Sequence, residues 1–302
     1  MIFKLEDAIN QHIKLSHKAV ELYLKREDKI HPFVSGNKYR KLKYNLLEAK
    51  KAGFDTLLTF GGAFSNHIAA VASAGQVFGL KTIGVIRGEE LENEISNNAT
   101  LSFAQQHGMR FEFVSRAAYR EKTTAPFLDK LKNKYGHFYL IPEGGTNELA
   151  VKGCKEILTK NDETFDYVCC AVGTGGTISG LINCSKPSQQ VLGFPALKGE
   201  FLQEDILKFA TQTNWKLIHD YHFGGYAKIN EELVAFINQF KVDYHVALDP
   251  VYTGKMLFGI LDLINKNYFP EGSKILAIHT GGLQGVEGMN AVLKKKNLPI
   301  II

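Results

Sequence analysis

The chain has 302 residues, of which 45% are hydrophobic and 22% are charged, so it is long enough for one large or two modest globular domains. Lysine and arginine (36) outnumber aspartate and glutamate (31), and the basic residues are spread along the chain, which suits a small anionic ligand and disfavours a nucleic-acid groove. The four cysteines lack disulfide or metal-ligand spacing, and no apolar run has the length of a signal peptide or a membrane span. These features predict a cytoplasmic protein that has no metal and no nucleic-acid or membrane partner.

Short apolar or β-branched runs alternate with segments of helical period from residue 19 onward. In chain order the predicted strands are AVELYL, DTLLTF, LKTIGVIR, MRFEFVS, HFYLIP and YVCCAV, and the first predicted helices are YRKLKYNLLEAKKAG and SNHIAAVASAGQVFG. Strands this uniformly apolar are buried on both faces, as in parallel sheets. The sequence therefore predicts an α/β fold in which helices cover mainly parallel sheets.

Four loops rich in Gly, Ser, Thr or Asn follow strands: GGAFSNH (61–67), EGGTN (143–147), GTGGT (173–177) and TGGLQG (280–285). In open α/β sheets, ligands bind at the carboxyl ends of the strands. We therefore expect the four loops to meet at one site.

The GTGGT loop follows an apolar strand and opens a helix, so its backbone N–H groups could cradle a phosphate. The alternative is a tight strand-to-helix turn without a ligand. The loop has neither the dinucleotide fingerprint nor a Walker motif, which disfavours a dinucleotide-dependent oxidoreductase. Because no metal-binding motif accompanies the loop, the pattern favours a phosphorylated cofactor over a nucleoside triphosphate.

The SNH motif lies at a predicted helix start, where Ser65 or Asn66 is either an N-cap or a ligand contact. As ligand contacts, the Asn66 amide would donate to a phenolate oxygen, and Ser65 with free N–H groups would bind a carboxylate. His67 either faces a ring or is a surface histidine.

Polar residues in three later segments are further candidates. In VYTGK, Tyr252 and Thr253 stand at a helix start, where Thr253 is either a cap or a site residue. Tyr226 lies on a predicted loop, where a tyrosine is more often packed than catalytic. Thr280 ends the last strand and is a polar candidate for the same cleft.

Lys38 follows a Gly-Asn turn in the motif SGNKYRKL. It is either a solvated lysine on a Lys-rich helix face or a reactive lysine at a helix start. At a helix start, the positive helix dipole, Arg40 and partial burial would lower its pKa and favour the neutral amine that imine chemistry needs.

These motifs, together with PEGGTN, DPVYTGK and HTGG, fall in a characteristic order and approximate spacing. Between about residues 22 and 282, the chain resembles the pyridoxal-phosphate enzymes of the tryptophan-synthase-β fold group, known as fold type II. Within that group it resembles the 1-aminocyclopropane-1-carboxylate deaminase and D-cysteine desulfhydrase family. The resemblance implies a two-lobed, three-layer α/β/α fold, pyridoxal 5′-phosphate as cofactor, and a homodimer. It implies a large cofactor-binding domain at residues 1–40 and 142–302 and a small α/β domain at 41–141.

The resemblance also assigns roles to residues of this chain. Lys38 would be the Schiff-base lysine and proton shuttle, and Asn66 would hold the cofactor's O3′. Ser65 would bind the substrate carboxylate and is a second candidate for proton transfer, and Tyr226 and Tyr252 would be the two active-site tyrosines. The implied phosphate loop comprises Gly173, Thr174, Gly175, Gly176 and Thr177.

Two positions bear on the choice of activity. The resemblance implies that deaminases carry Glu in place of Thr253 and Gln in place of His67, whereas desulfhydrases match this chain at both. A carboxylate beside the pyridine nitrogen keeps the ring protonated, and opening a cyclopropane should need that deeper electron sink. We therefore expect a D-cysteine desulfhydrase acting on a small amino acid.

Other functions stay open on the sequence alone. Within the family the alternatives are 1-aminocyclopropane-1-carboxylate deaminase and a more general D-amino-acid β-eliminase or dehydratase. Outside it the alternative is a non-catalytic protein that binds a phosphorylated ligand. Such a binder would need no imine-forming lysine at Lys38.

Overall fold

A computed structural model describes residues 4–16, 19–34, 36–199 and 201–302. Residues 1–3 and Ser35 of the SGNKYRKL motif lie outside the described residues. The chain folds into two mostly parallel sheets that carry helices on both sides, which confirms the predicted α/β class.

The larger sheet has six strands in the spatial order β1-β2-β10-β7-β8-β9. Strand β1 lies at one edge and, among the described residues, is the one strand of this sheet that pairs antiparallel; its register with β2 sets Asn10 opposite Lys25. The other pairs in this sheet are parallel. Its strands are β1 (Asn10–Ile13), β2 (Glu21–Lys25), β7 (Tyr167–Val172), β8 (Gln190–Pro195), β9 (Trp215–Leu217) and β10 (Lys274–Ile278).

The smaller sheet has four strands, all parallel, in the order β5-β4-β3-β6. They are β3 (Thr56–Gly61), β4 (Lys81–Arg87), β5 (Met109–Val114) and β6 (Tyr139–Ile141). Every residue of β3 is buried, as expected for a strand covered by helices on both faces. All four strands lie within residues 41–141, although the domain boundaries themselves stay a prediction.

Eleven α-helices occur among the described residues. They are α1 (Asn37–Lys51), α2 (Asn66–Phe78), α3 (Ala99–Gln106), α4 (Arg116–Arg120), α5 (Ala125–Tyr135), α6 (Glu148–Cys154), α7 (Gly176–Cys184), α8 (Phe201–Leu207), α9 (Glu231–Tyr244), α10 (Thr253–Asn265) and α11 (Gly285–Lys295). None of the helices in the described ranges is long and apolar enough to cross a membrane.

Local sequence signals explain where the helices beside the site begin and end. Ser65 caps α2 by accepting a hydrogen bond from the Ile68 amide at 3.4 Å, and Gly79 ends the same helix in the left-handed conformation. Separate apolar clusters pack on the two sheets, around residues such as Leu257 and Ile260 on the larger sheet and Val71 and Ile86 on the smaller. The loops that follow the strands thus extend from two packed scaffolds.

Candidate active site

A cavity of about 370 Å³ lies among the loops that follow strands β3, β6, β7 and β10. This volume suits a small molecule of cofactor size. The prediction that the four polar loops meet at one site is therefore confirmed. The predicted site residues that line the cavity are Lys38, Ser65, Asn66, His67, Gly173, Thr174, Gly175, Thr177, Tyr226, Tyr252 and Thr280.

Lys38 lies in the first turn of α1, directly after a backbone turn that only glycine fits. Gly36 adopts φ +57°, and a Cβ atom added there would lie 2.1 Å from the Thr280 carbonyl oxygen. The start of α1 therefore packs against the loop after β10. This contact places the Lys38 side chain on the cavity wall.

Burial and a neighbouring positive charge lower the pKa of Lys38. Its Nζ donates to Asn37 Oδ1 at 3.0 Å, and Asn37 Nδ2 in turn donates to Thr177 Oγ1 at 2.8 Å. Burial, followed by the ammonium group of Lys41, lowers the pKa of Lys38 to about 7. A large fraction of Lys38 is therefore a neutral amine at physiological pH.

The loop after β7 has the form of an anion cradle. Gly175 adopts the left-handed conformation, with φ 79°, immediately before α7 begins at Gly176. The first N–H groups of a helix have no partner within the helix, so they are available to an oxyanion. Thr174 Oγ1 lies 2.6 Å from Thr146 Oγ1, which ties this loop to the one after β6.

Lys41, which the sequence analysis did not select, brings a buried positive charge to this cradle. Its Nζ donates to the Gly144 carbonyl oxygen at 2.9 Å, to Thr146 Oγ1 at 3.0 Å and to Thr174 Oγ1 at 3.3 Å. None of these three acceptors is charged, and Lys41 forms no ion pair within the described part of the chain. Burial lowers the pKa of Lys41. Its spacing of three residues from Lys38, nearly one helical turn, is the signal that would have found it.

Asn66 and His67 open helix α2 and face the cavity with unmet hydrogen-bonding capacity. Asn66 Oδ1 and His67 Nδ1 are buried without a hydrogen-bond partner in the described part of the chain. His67 Nε2 lies 2.8 Å from Thr59 Oγ1, and Thr59 donates its own proton to the Ile141 carbonyl oxygen, so the hydrogen-bond network assigns the imidazole proton to Nε2. Burial, then Lys38 and Lys41, holds the pKa of His67 well below its usual range, so the ring is neutral.

Two tyrosines cover another part of the cavity wall. The ring centroids of Tyr226 and Tyr252 are 6.3 Å apart, and the rings meet edge to face. Burial and the neighbouring Tyr226 hold the pKa of Tyr252 well above its usual value, so its hydroxyl stays protonated and can donate. Lys255 fixes the loop that precedes Tyr226 by donating to the carbonyl oxygens of His222 and Gly225, both at 2.8 Å.

Thr253 and Gly176 are the two predicted residues that do not line the cavity. Thr253 is fully buried, and its hydroxyl donates to Asp249 Oδ2 at 2.6 Å. The same carboxylate oxygen accepts the Thr253 backbone N–H at 2.8 Å, so Asp249 caps the start of α10. A Cβ atom added at Gly176 would lie 2.7 Å from Thr146 Oγ1, so this glycine lets the two loops pack closely.

Arg87 and Glu143 also line the cavity, and neither was predicted as a site residue from the sequence. Arg87 ends β4, and its Nη2 lies 3.6 Å from where a Cβ would stand on Gly62. Glu143 Oε2 pairs with Lys122 Nζ at 3.3 Å. Their positions at or just beyond strand ends are the signal that would have found them.

The residues present fit pyridoxal phosphate. The cradle and the Lys41 ammonium suit a phosphate dianion, and Lys38 offers an amine to an aldehyde. The Asn66 side chain, whose Oδ1 atom has no partner among the described residues, can turn its N–H2 toward a phenolate oxygen, because the two ends of an amide exchange by rotation. The phosphate, the aldehyde and the phenolate oxygen of the cofactor thus each have a matching group on this chain.

Comparisons with known proteins agree with this fit. A family model described as pyridoxal-phosphate dependent enzyme matches residues 9–281. A bifunctional D-cysteine desulfhydrase/1-aminocyclopropane-1-carboxylate deaminase from Arabidopsis thaliana is 31% identical, over 88% of this chain and 73% of its own. A D-cysteine desulfhydrase from Klebsiella pneumoniae is 28% identical, over 88% of each chain. A crystal structure of an ACC deaminase homologue superposes with a TM-score of 0.81 at 28% identity, covering 97% of this chain and 95% of the other.

Proposed function

The chain belongs to the family of pyridoxal-phosphate-dependent enzymes that eliminate from or deaminate small amino acids, and we propose that it converts D-cysteine and water to pyruvate, hydrogen sulfide and ammonia. The observation that carries the proposal is Lys38, a cavity lysine whose pKa is lowered to about 7, linked through Asn37 to the anion cradle. A protein that only binds a phosphorylated ligand has no use for a neutral amine at that place.

The residues that would hold the cofactor are Lys38 at its aldehyde, Asn66 at its phenolate oxygen, and Lys41 with the loop 173–177 at its phosphate. When bound, pyridoxal phosphate supplies an electron sink that stabilises the carbanion left after the α-proton of an amino acid is removed.

This chain's own residues bind the amino acid and move its proton. The substrate carboxylate would lie at the first N–H groups of α2, beside the Ser65 hydroxyl. The neutral amine of Lys38 would take the α-proton, and Ser65 is the second candidate for this transfer. The Tyr252 hydroxyl, held protonated by burial, donates to charge that develops on the leaving group.

The choice of D-cysteine over the cyclopropane substrate is supported by Thr253. This residue carries no charge, and its hydroxyl proton is already donated to Asp249. It therefore cannot act as the carboxylate that the deaminases carry at this position. Expelling sulfide makes less demand on the electron sink, because the leaving group departs as the carbanion forms. Deamination of 1-aminocyclopropane-1-carboxylate to α-ketobutyrate and ammonia is the second candidate function, and the name of the Arabidopsis relative includes both activities.

The test is an absorbance spectrum of the cofactor-saturated protein, before and after borohydride, for the parent, for Lys38→Ala and for a Lys43→Ala control, because Lys43 lies on α1 but does not line the cavity. We expect a borohydride-sensitive band in the parent and the control but not in Lys38→Ala. Sulfide and pyruvate would then be measured with D-cysteine, and α-ketobutyrate with the cyclopropane amino acid. A parent without the band would refute the role of Lys38, and α-ketobutyrate without sulfide would replace the proposed substrate by the second candidate.

The resemblance carries three further proposals. They are a homodimer, a small domain at residues 41–141 inserted between the two parts of the large one, and a cytoplasmic location. Light scattering during size-exclusion chromatography distinguishes a dimer from a monomer. If residues 41–141 form a separate domain, their amide hydrogens should exchange together as one cooperative unit, distinct from the rest of the chain, as measured by mass spectrometry.

A further inference from the structure

Arg87 is a positive charge on the cavity wall that the proposed chemistry does not use. It lines the cavity, and among the described residues it forms no ion pair. Two carboxylates near it in the sequence or the cavity have other partners. Glu90 pairs with Arg116 at 2.5 Å, and Glu143 pairs with Lys122 at 3.3 Å.

The Arg87 side chain is held in place without being neutralised. Its guanidinium carbon lies 5.6 Å from the centroid of the buried Tyr119 ring, and Lys122 Nζ lies 4.9 Å from the same centroid. A cation over an aromatic ring is attracted by the ring without losing its charge. The guanidinium can therefore still offer its N–H donors to an anion in the cavity.

The position of Arg87 relative to Ser65 shows which part of a substrate it would meet. The adjacent glycines 61 and 62 separate the two side chains. A Cβ on Gly61 would lie 3.0 Å from Ser65 Oγ, and a Cβ on Gly62 would lie 3.6 Å from an Arg87 nitrogen. Ser65 and Arg87 thus border the same pair of glycines and line the same cavity, so a substrate bound at Ser65 shares that cavity with Arg87.

None of the anionic groups expected on the cofactor and the substrate has Arg87 as its partner. The cofactor phosphate is met by Lys41 and the start of α7, and the substrate α-carboxylate is met by the start of α2. A substrate with an uncharged side chain, such as D-cysteine in its thiol form, has no third anionic group. Arg87 is exposed at the end of β4, so it needs no counter-ion in the free protein, and it is available to a further anion on the substrate.

We propose that Arg87 forms an anion-binding subsite for the substrate side chain, so that the preferred amino acid carries a carboxylate or a comparable oxyanion beyond its β-carbon. This inference rests on the proposed elimination and narrows its substrate class. Free D-cysteine in its thiol form leaves this subsite empty. A substrate of the inferred class would be an S-carboxymethyl cysteine: its Cβ–S bond breaks, sulfur leaves with the bonding pair and is protonated, and water completes the conversion to pyruvate and ammonia.

The test compares succinate with succinamate, which has the same shape but one charge fewer, by calorimetric titration of the cofactor-loaded protein. We expect the parent to bind succinate at least about tenfold more tightly, the effect of a hydrogen bond to a charged group. Arg87→Gln should bring the ratio close to one. The matched control is Arg110→Gln, because Arg110 also lies 5.6 Å from a tyrosine ring, on the neighbouring strand β5, but does not line the cavity.

Three results would overturn the subsite. They are equal binding of the two compounds by the parent, no succinate binding at all, and an Arg87→Gln variant that weakens both compounds equally. The last result would place Arg87 on the α-carboxylate instead.

Turnover provides a second readout. For S-carboxymethyl-D-cysteine against S-carbamoylmethyl-D-cysteine, the parent should show the higher kcat/KM with the charged compound, and Arg87→Gln should lose that preference. Sulfide release from D-cysteine is measured on the same preparations. If the protein prefers succinate but releases no sulfide, the proposed reaction is refuted and the subsite is not. If it releases sulfide but shows no preference for succinate, the subsite is refuted and the proposed reaction is not.

Discussion

The low pKa of Lys38 leads to a prediction that can be tested on the protein without its cofactor. With a pKa of about 7 in place of the usual 10.5, about three-quarters of the Lys38 side chains are neutral amines at about pH 7.5. About one in a thousand of an ordinary lysine is neutral at that pH. Because only the neutral amine attacks an electrophile, the reactivity of Lys38 should rise as the pH increases through about 7 and then level off.

The perturbation is Lys41→Met, which removes the neighbouring ammonium and keeps most of the side-chain volume. Burial and the Lys41 charge are the two main causes of the low pKa of Lys38, so this variant should move the midpoint of its reactivity to a higher pH without restoring an ordinary value. Lys43→Met is the control, because Lys43 lies on the same helix but pairs with Glu156 at 2.6 Å.

The assay is competitive labelling with trace acetic anhydride, from about pH 5 to about pH 10, followed by peptide mass spectrometry. It reports the titration of every lysine in one experiment, so exposed lysines serve as internal references. A midpoint for Lys38 near that of the exposed lysines would refute the assignment of burial as the cause. A midpoint unchanged by Lys41→Met would refute the coupling between the two lysines.

Three further variants test the surroundings of the site. Gly36→Ala should prevent α1 from packing at its start and abolish cofactor binding, measured by absorbance, because its Cβ would lie 2.1 Å from a carbonyl oxygen. Glu27→Gln should lower the free energy of unfolding in urea by about 3 to 5 kcal/mol, because it breaks the buried pair in which Arg40 donates two hydrogen bonds of 2.8 Å. Lys255→Met should release the loop before Tyr226, which would appear as faster proteolysis of that loop and a lower kcat.

Each of these variants has a control in the same chain. Gly53→Ala carries a similar positive φ but meets nothing within 4 Å, so it should keep the cofactor. Asp129→Asn removes an exposed ion pair and should change stability by less than about 0.5 kcal/mol. Lys266→Met removes an exposed lysine just after the end of α10 and should leave the loop resistant to protease. A control that behaves like its partner variant would contradict the reason given for that variant.

The central parallel strands were predictable because their burial leaves a continuous apolar pattern. Strand β3, TLLTFG, is buried at all six positions, and its run was predicted as a strand almost residue for residue. Strand β1, NQHI, was missed, because an edge strand with one buried residue carries no such pattern. Helix α1 begins at Asn37 rather than Tyr39, because the turn at Gly36 is set by contact with the loop after β10.

The candidate site was predictable where residues follow strands or carry a recognisable motif. Lys41 and Arg87 were missed because each reads as one more basic residue among many, and their meaning depends on partners distant in sequence. Lys41 meets Gly144, 103 positions away, and Arg87 stands beside Gly62 on the neighbouring strand's loop. Thr253 is the opposite case: it was predicted as a site residue, and only the structure reveals that its hydroxyl already donates to Asp249.

The pairing of β2 with β10 has a consequence for how the protein is made. Glu21 of β2 lies opposite Lys274 of β10. Strand β2 therefore cannot pair with β10 until the ribosome has synthesised almost the whole chain. The four strands of the smaller sheet are contiguous in sequence and can pair much earlier, as units do during synthesis. The turn at Gly36 that positions Lys38 packs on the loop after β10, so the nascent chain should capture its cofactor only at the end of translation.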